Sequence, residues 1–107
     1  MIAELLNDYA SVMVRMHPVE RVALFHLRFE CIHPFIDGDG RTGRLLLNMQ
    51  LIQAGYPPIN VKFADRKRYY VAFEDYATTG STIAMTTLIA EYLEERMSSM
   101  LALIIPH

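Results

Sequence analysis

Twelve residues near the middle of the chain contain most of the side chains that could do chemistry. Residues 33–44 read HPFIDGDGRTGR, and they hold one imidazole, two carboxylates, three glycines and two arginines. Glycines at 38 and 40 allow a tight turn in which successive backbone N–H groups converge on one point, as in an anion-binding nest. A helix that begins near Arg41 adds its free N–H groups and the positive end of its dipole. The segment therefore predicts an anion site at a helix start.

The side chains around this turn predict which anion it would hold. Arg41 and Arg44 are three residues apart, so both can reach polyphosphate oxygens from the first helical turn. Asp37 suits Mg²⁺, which takes one or two carboxylates together with substrate phosphates. His33, four residues before Asp37, is a candidate general base beside the bound phosphate. Each feature alone is typical of a plain capped turn, whereas their joint spacing favours a functional site.

The same segment resembles the signature of the Fic family, His-Pro-Phe-x-(Asp/Glu)-Gly-Asn-Gly-Arg-x-x-Arg. One defined position differs, because Asp39 stands where the family usually has Asn. Residues 17–29 resemble the helix that leads into Fic motifs, and residues 44–48, 54–58 and 66–70 resemble the segments that follow. The resemblance covers roughly residues 17 to 100.

This resemblance implies a Mg²⁺-dependent nucleotidyltransferase that moves AMP from ATP to a Ser, Thr or Tyr hydroxyl of a target protein. It implies that His33 deprotonates the hydroxyl, Phe35 anchors the loop in the core and Asp37 holds Mg²⁺. The glycines would cradle the α- and β-phosphates, the arginines would bind the β- and γ-phosphates, and two tyrosines would border the adenine pocket. The nucleotide-binding residues implied are Gly38, Asp39, Gly40, Arg41, Arg44, Tyr69 and Tyr70.

Departures from the family pattern keep a second hypothesis open. The carboxylate of Asp39 repels phosphate, which predicts weaker nucleotide binding or a different preferred nucleotide. Ala77 stands where close relatives often have an Asn in the nucleotide pocket. Residues 1–15 predict a helix instead of the family's target-binding flap, and the inhibitory segment of many relatives is not evident. The alternative is a non-catalytic or attenuated nucleotide-binding or interaction module of the same fold.

Helical periodicity dominates the rest of the chain and predicts an all-α fold. Predicted helices cover residues 1–15, 18–31 and 41–54, and two more begin at Asp65 and at Ser81 or Thr82. The helix over 41–54 is apolar on nearly every side, which is typical of the central helix of a bundle. Gly55 is expected to end it. Only residues 59–63 alternate like a strand, and they have no evident partner.

Some single residues and one helix face are expected to be structural. His26 is predicted to be a hydrogen-bonded core histidine and Cys31 a small core residue. The methionines and the apolar face of the last helix are predicted to lie in the core, and a homodimer through that face is left open. The residues on that face are Ile89, Leu93, Met97, Met100 and Ile104.

Composition limits the classes of function. The chain has 107 residues and a mass of 12.3 kDa, which predicts one domain over 1–107. The net charge is −2, and each half carries five basic and six acidic residues, which argues against a nucleic-acid partner. A single cysteine fits a reducing compartment. No apolar stretch approaches the roughly 20 residues of a membrane span, and no leader pattern is seen, so the expectation is a cytoplasmic protein.

Overall fold

The computed structural model describes residues 2–11, 13–32 and 41–104. Within these ranges five α-helices and two short 3₁₀ turns, Met13–Arg15 and Phe63–Asp65, account for the regular structure, without a strand. The prediction of an all-α fold is confirmed. Residues 33–40, which precede the third helix in the sequence, lie outside the described ranges. The helices are α1 (Ile2–Ser11), α2 (Pro18–Ile32), α3 (Arg41–Gln53), α4 (Arg66–Thr79) and α5 (Ile83–Ile104).

The end of α3 follows from local sequence. Gly55 has a φ of +92°, a left-handed conformation that glycine adopts without strain. Its N–H donates to the carbonyl of Ile52 at 3.0 Å, and the N–H of Tyr56 donates to the carbonyl of Leu51 at 2.8 Å. This pair of bonds is a Schellman motif, which satisfies carbonyls that the helix end would leave without partners. The predicted stop at Gly55 is confirmed, and the prolines at 57–58 follow it.

The starts of α4 and α5 lie close to their predicted positions. The side chain of Asp65 does not cap α4, whereas the side chain of Ser81 does bond to the start of α5. Asp65 occupies the N-cap position of α4 but makes no capping hydrogen bond with its side chain. Its carboxylate instead accepts a hydrogen bond from the hydroxyl of Tyr92 on α5. At α5, the hydroxyl of Ser81 accepts a hydrogen bond from the N–H of Ile83 at 3.2 Å. Asp65 therefore connects two helices instead of capping one.

The core is organised around α2, which packs against α1, α3 and α5, while α4 packs against α5. The main cluster joins buried side chains of α2, α3 and α5, including Leu27, Leu47, Leu51, Met85, Leu88 and Ile89. A smaller cluster of Leu5, Met13 and Phe25 fixes α1 against α2. Burial of these apolar groups is the main favourable contribution to folding.

The structure differs from the sequence-based expectations for α3 and α5. On α3, Leu45, Met49 and Ile52 are exposed, because this helix packs mainly on α2. In the described part of the chain, α2 packs against more helices than α3 does. On α5, Ile89 and Leu93 are buried as predicted, but every residue over 94–104 is exposed. The expectation that Met97, Met100 and Ile104 belong to the core is therefore wrong, because no described element packs over those turns.

Cys31 also differs from its predicted environment. The expectation that it is a small core residue is wrong, because Cys31 is exposed near the C-terminal end of α2. Partial burial and the Glu30 charge raise the pKa of its thiol, which disfavours the reactive thiolate.

None of the described helices is both long and apolar enough to cross a lipid bilayer.

Candidate functional site

A cavity of about 370 Å³ lies between the start of α3, the segment that leads into α4, and the first turn of α4. Arg44, Tyr69 and Tyr70, three of the predicted nucleotide-binding residues, all contribute to its lining. Arg41, at the start of α3, is exposed and is not part of the lining. The other lining residues are Asn60, Val61, Lys62, Phe63 and Arg66.

The remaining predicted site residues lie outside the described ranges. They are His33, Phe35, Asp37, Gly38, Asp39 and Gly40. Their predicted roles stay predictions.

The cavity combines positive charge with aromatic surface. Arg44, Lys62 and Arg66 contribute cations, and its described lining contains no carboxylate. The Arg66 guanidinium lies 4.5 Å from the centre of the Phe63 ring, within the range of a cation–π contact. Lys62 Nζ is 3.1 Å from Glu95 Oε1, in an exposed pair whose attraction water weakens. Cations next to aromatic rings suit a ligand with phosphates and a planar base.

Tyr69 is the most constrained of the aromatic lining residues. It is only 4% exposed, and its ring meets Phe73 edge-on, with centroids 4.9 Å apart. Burial raises the pKa of the Tyr69 hydroxyl above its usual range, the charge of Glu30 adds to this, and Arg44 opposes it. The phenol therefore stays neutral near pH 7. Tyr69 therefore forms a fixed, neutral edge of the cavity, while Tyr70, which is 46% exposed, offers the aromatic surface that a ligand can reach.

His26 supports Tyr69 from within the core. Its Nε2 is 2.6 Å from the Tyr69 hydroxyl, and the residue is 1% exposed. Burial lowers the pKa of His26 from 6.5 to about 4; the Gly43 backbone opposes this shift, and the Arg44 charge contributes to it. The ring is thus neutral at pH 7. The prediction of a hydrogen-bonded core histidine is confirmed.

Glu30 is a buried carboxylate that the sequence analysis missed. It is 3% exposed, on α2, directly under the first turn of α3. A Cβ at position 43 would overlap Glu30 Oε1 and lie 2.8 Å from its Cδ, so any residue other than glycine at this position would force the Glu30 carboxylate to move. A negative charge beside the first turn of a helix is stabilised by the helix dipole. The signal in the sequence is the spacing of four, which puts Val22, His26 and Glu30 on one face of α2.

A second part of the cavity wall, residues 60–62, is a non-helical segment held by side chains. Asn48 Nδ2 donates to the carbonyl of Ile59 at 2.9 Å, and the N–H of Ile59 donates to Asn48 Oδ1 at 2.8 Å. The N–H of Lys62 donates to the Tyr92 hydroxyl at 3.0 Å. These bonds show how a strand-like stretch is accommodated without a partner strand, because side chains take the place of a neighbouring strand.

Comparisons with known proteins agree with this geometry. The Fic/DOC family model matches residues 1–51. The chain is 40% identical over 87 residues to a protein from Nematostella vectensis named protein adenylyltransferase Fic, which is 81% of this chain and 20% of that protein. It is 44% identical over 82 residues to the protein of the same name from Drosophila ananassae, which is 77% of this chain and 16% of that protein. The chain thus spans about a fifth or less of the length of these relatives.

A solved structure is similar over almost the whole chain. Fic-1 from C. elegans superimposes with a TM-score of 0.78 and 29% sequence identity, covering 94% of this chain and 32% of that one. The helical fold is that of a Fic-type domain. The chain belongs to the Fic/DOC family.

Proposed function

We propose that this chain forms the nucleotide-binding and catalytic part of a protein adenylyltransferase. Its substrates would be ATP and a Ser, Thr or Tyr hydroxyl of a target protein. The observation that carries the proposal is the convergence of Arg44, Tyr69 and Tyr70 on one cavity. Relatives that are named protein adenylyltransferase support it.

The proposed reaction moves AMP without a covalent enzyme intermediate. The hydroxyl oxygen of the target attacks the α-phosphorus of ATP and forms the new P–O bond. The bond from that phosphorus to the oxygen bridging to the β-phosphate breaks, and pyrophosphate leaves. His33 takes the hydroxyl proton, a contribution of about 10²–10⁴ in rate for general-base catalysis.

Substrate binding in this proposal is mainly a matter of position and charge. Phosphoryl-type transfer depends on in-line alignment and on neutralising the phosphate oxygens. Arg44, which lines the cavity from the first turn of α3, would bind the phosphates there. Arg41, exposed at the start of the same helix, and the backbone N–H groups of glycines 38 and 40 would complete the phosphate site. The adenine ring lies against Tyr69 and Tyr70.

Magnesium fits this proposal through Asp37. Within the described ranges no three His, Cys, Asp or Glu side chains converge on a metal-binding point. In this proposal the metal would take its oxygen ligands from Asp37, from the phosphates themselves and from water, which is the coordination that Mg²⁺ prefers in nucleotide enzymes. Bound there, it would supply neutralising charge to the phosphates.

The test is incorporation of label from ATP carrying ³²P at the α-position. Wild-type protein with Mg²⁺ is expected to label itself or proteins in a lysate, and His33→Ala is expected to abolish the label. Arg44→Ala should weaken ATP binding in calorimetry by at least about tenfold, the scale of one lost charged hydrogen bond. Arg68→Ala is the matched control, because Arg68 pairs with Glu91 on the surface and does not line the cavity. Unchanged label in His33→Ala, or equal losses in both arginine variants, would contradict the proposal.

A specific feature supports a second candidate, an attenuated or non-catalytic nucleotide-binding module. Asp39 places a carboxylate in the segment proposed to hold phosphate, where like charges repel. Under this candidate, Asp39→Asn raises ATP affinity or label incorporation at least about tenfold, the effect of removing roughly 1.4 kcal/mol of repulsion. No change in Asp39→Asn, together with label in the wild type, would leave the adenylyltransferase as the better description.

A further inference from the structure

Residues 60–62, which precede the 3₁₀ turn Phe63–Asp65, form part of the wall of the candidate nucleotide cavity and lie outside any helix or strand. Asn60, Val61, Lys62 and Phe63 all line the cavity. Backbone outside helices and strands takes its position from individual contacts, because no regular series of backbone hydrogen bonds holds it. What fixes residues 59–62 therefore fixes the shape of the cavity.

Asn48 holds the first end of this wall with two hydrogen bonds. Its amide accepts from the N–H of Ile59 at 2.8 Å and donates to the carbonyl of Ile59 at 2.9 Å. Ile59 is only 8% exposed, so both of its backbone groups would lose their partners in a nearly dry position without Asn48. Each such orphaned group costs about 1–3 kcal/mol, which favours movement of the segment.

The chemistry of this contact is specific to an amide side chain. Asn offers one donor and one acceptor, whereas ionised Asp offers acceptors alone and would face the Ile59 carbonyl with a negative charge. Asn48 also lies one helical turn after Arg44 on α3. A single helix thus carries both the proposed phosphate-binding arginine and the anchor of the 59–62 segment.

We infer that Asn48 is a positioning residue, which sets the distance between the 59–62 wall and Arg44 and thereby the fit of the nucleotide. The inference rests on the proposed function. Asn48 does not line the cavity, so it acts through the wall. Tyr92 holds the other end through the N–H of Lys62, at 3.0 Å, which makes it the weaker of the two anchors because it bonds one backbone group instead of two.

The experiment compares Asn48→Ala and Asn48→Asp with the wild-type chain in three measurements. Hydrogen exchange is expected to show the Ile59 amide exchanging at least about tenfold faster in both variants, without any nucleotide present. Calorimetry is expected to show ATP binding at least about tenfold weaker. The kinetics of label transfer should show a raised KM for ATP and a kcat changed less than about threefold, because the wall does not touch the reacting atoms. Tyr92→Phe should show a smaller loss of affinity in the same direction, and it serves as a second variant if Asn48→Ala does not fold.

Leu5→Ala is the control for lost stability alone, because Leu5 is fully buried in the smaller cluster between α1 and α2, which does not include Ile59, and it does not line the cavity. Its ATP affinity should stay near that of the wild type at temperatures where it is folded. An equal loss of affinity in Leu5→Ala, or an unchanged Ile59 exchange rate in the Asn48 variants, would overturn the inference. Faster exchange with unchanged ATP affinity would overturn it too and leave the proposed function intact. Absence of ATP binding by the wild type would defeat both.

Discussion

The middle of α2 buries polar side chains, whereas the last turns of α5 expose apolar ones. On α2, His26 and Glu30 are 1% and 3% exposed although both can carry charge. On α5, Leu103 and Ile104 are 88% and 74% exposed although both are apolar. Helical periodicity predicts both helices but not this contrast, because burial depends on which elements pack over a helix. Of these two buried groups, His26 leads directly to the cavity, because its hydrogen-bond partner Tyr69 lines it.

The contrast has an energetic counterpart. A buried polar group is tolerated when a hydrogen bond compensates for lost water, as the Tyr69 hydroxyl does for His26. An exposed apolar group contributes little to stability, because folding removes little of its surface from water. Substitutions on α2 should therefore have large effects, whereas those at the end of α5 should have small ones.

The largest effect is expected at the centre of α2. Leu27 is fully buried, and Leu27→Ala removes buried methylene groups and leaves a cavity, so we expect a loss of about 4 kcal/mol in the free energy of unfolding. Leu45→Ala on α3 removes the same atoms from a side chain that is 61% exposed and should cost less than about 1 kcal/mol. Urea denaturation measures both. Similar losses in the two variants would contradict the arrangement around α2.

The next effect is a pH dependence that comes from His26. Its pKa in the folded state is about 4, against 6.5 in the unfolded chain. Between these values the unfolded state binds the proton and the folded state does not, so stability falls as pH drops from 6.5 to 4, by about 3 kcal/mol from this group. His26→Gln should remove this part of the slope in urea denaturation measured across the range. A variant with the same pH dependence as the wild type would show that the buried imidazole is not its source.

The contact between α2 and α3 should give a somewhat smaller effect. Gly43→Ala places a Cβ on the Glu30 carboxylate, and such overpacking typically costs about 1–3 kcal/mol. Glu30→Ala makes room for that Cβ, so the double variant should be more stable than the sum of the single losses predicts. Thermal unfolding of the four proteins completes the cycle. Strictly additive losses would mean that the carboxylate does not limit the choice of residue at 43.

Features that depend on neighbouring residues could be predicted from the sequence. The stop at Gly55 depends on one left-handed residue and on bonds within six positions, so it was accessible without a fold. The grouping of Arg44 with Tyr69 and Tyr70 came from the family resemblance, and the structure brings these three residues to one cavity. Their role in binding nucleotide remains a proposal.

Contacts between distant segments were not predictable from one sequence. The bond between Asn48 and Ile59 joins residues eleven positions apart through a side chain, and no periodicity marks it. Glu30 was overlooked because a carboxylate on a helix is normally solvated. The exposure of the α5 end could not be anticipated either, since an apolar face predicts burial without identifying the element that would cover it.

The smallest effect is expected at that end of α5, and it is the most direct test of the contrast. Leu103→Gln and Ile104→Gln exchange apolar for polar side chains that stay in water, and Gln forms helices about as well as Leu does. The free energy of unfolding should change by less than about 0.5 kcal/mol in urea denaturation, as for most surface substitutions. Leu88→Gln is the control, since Leu88 is 1% exposed on the same helix and its polar replacement would be buried. A large loss in the distal variants would show that these turns are covered in solution, so that the two ends of α5 differ less than their exposures indicate.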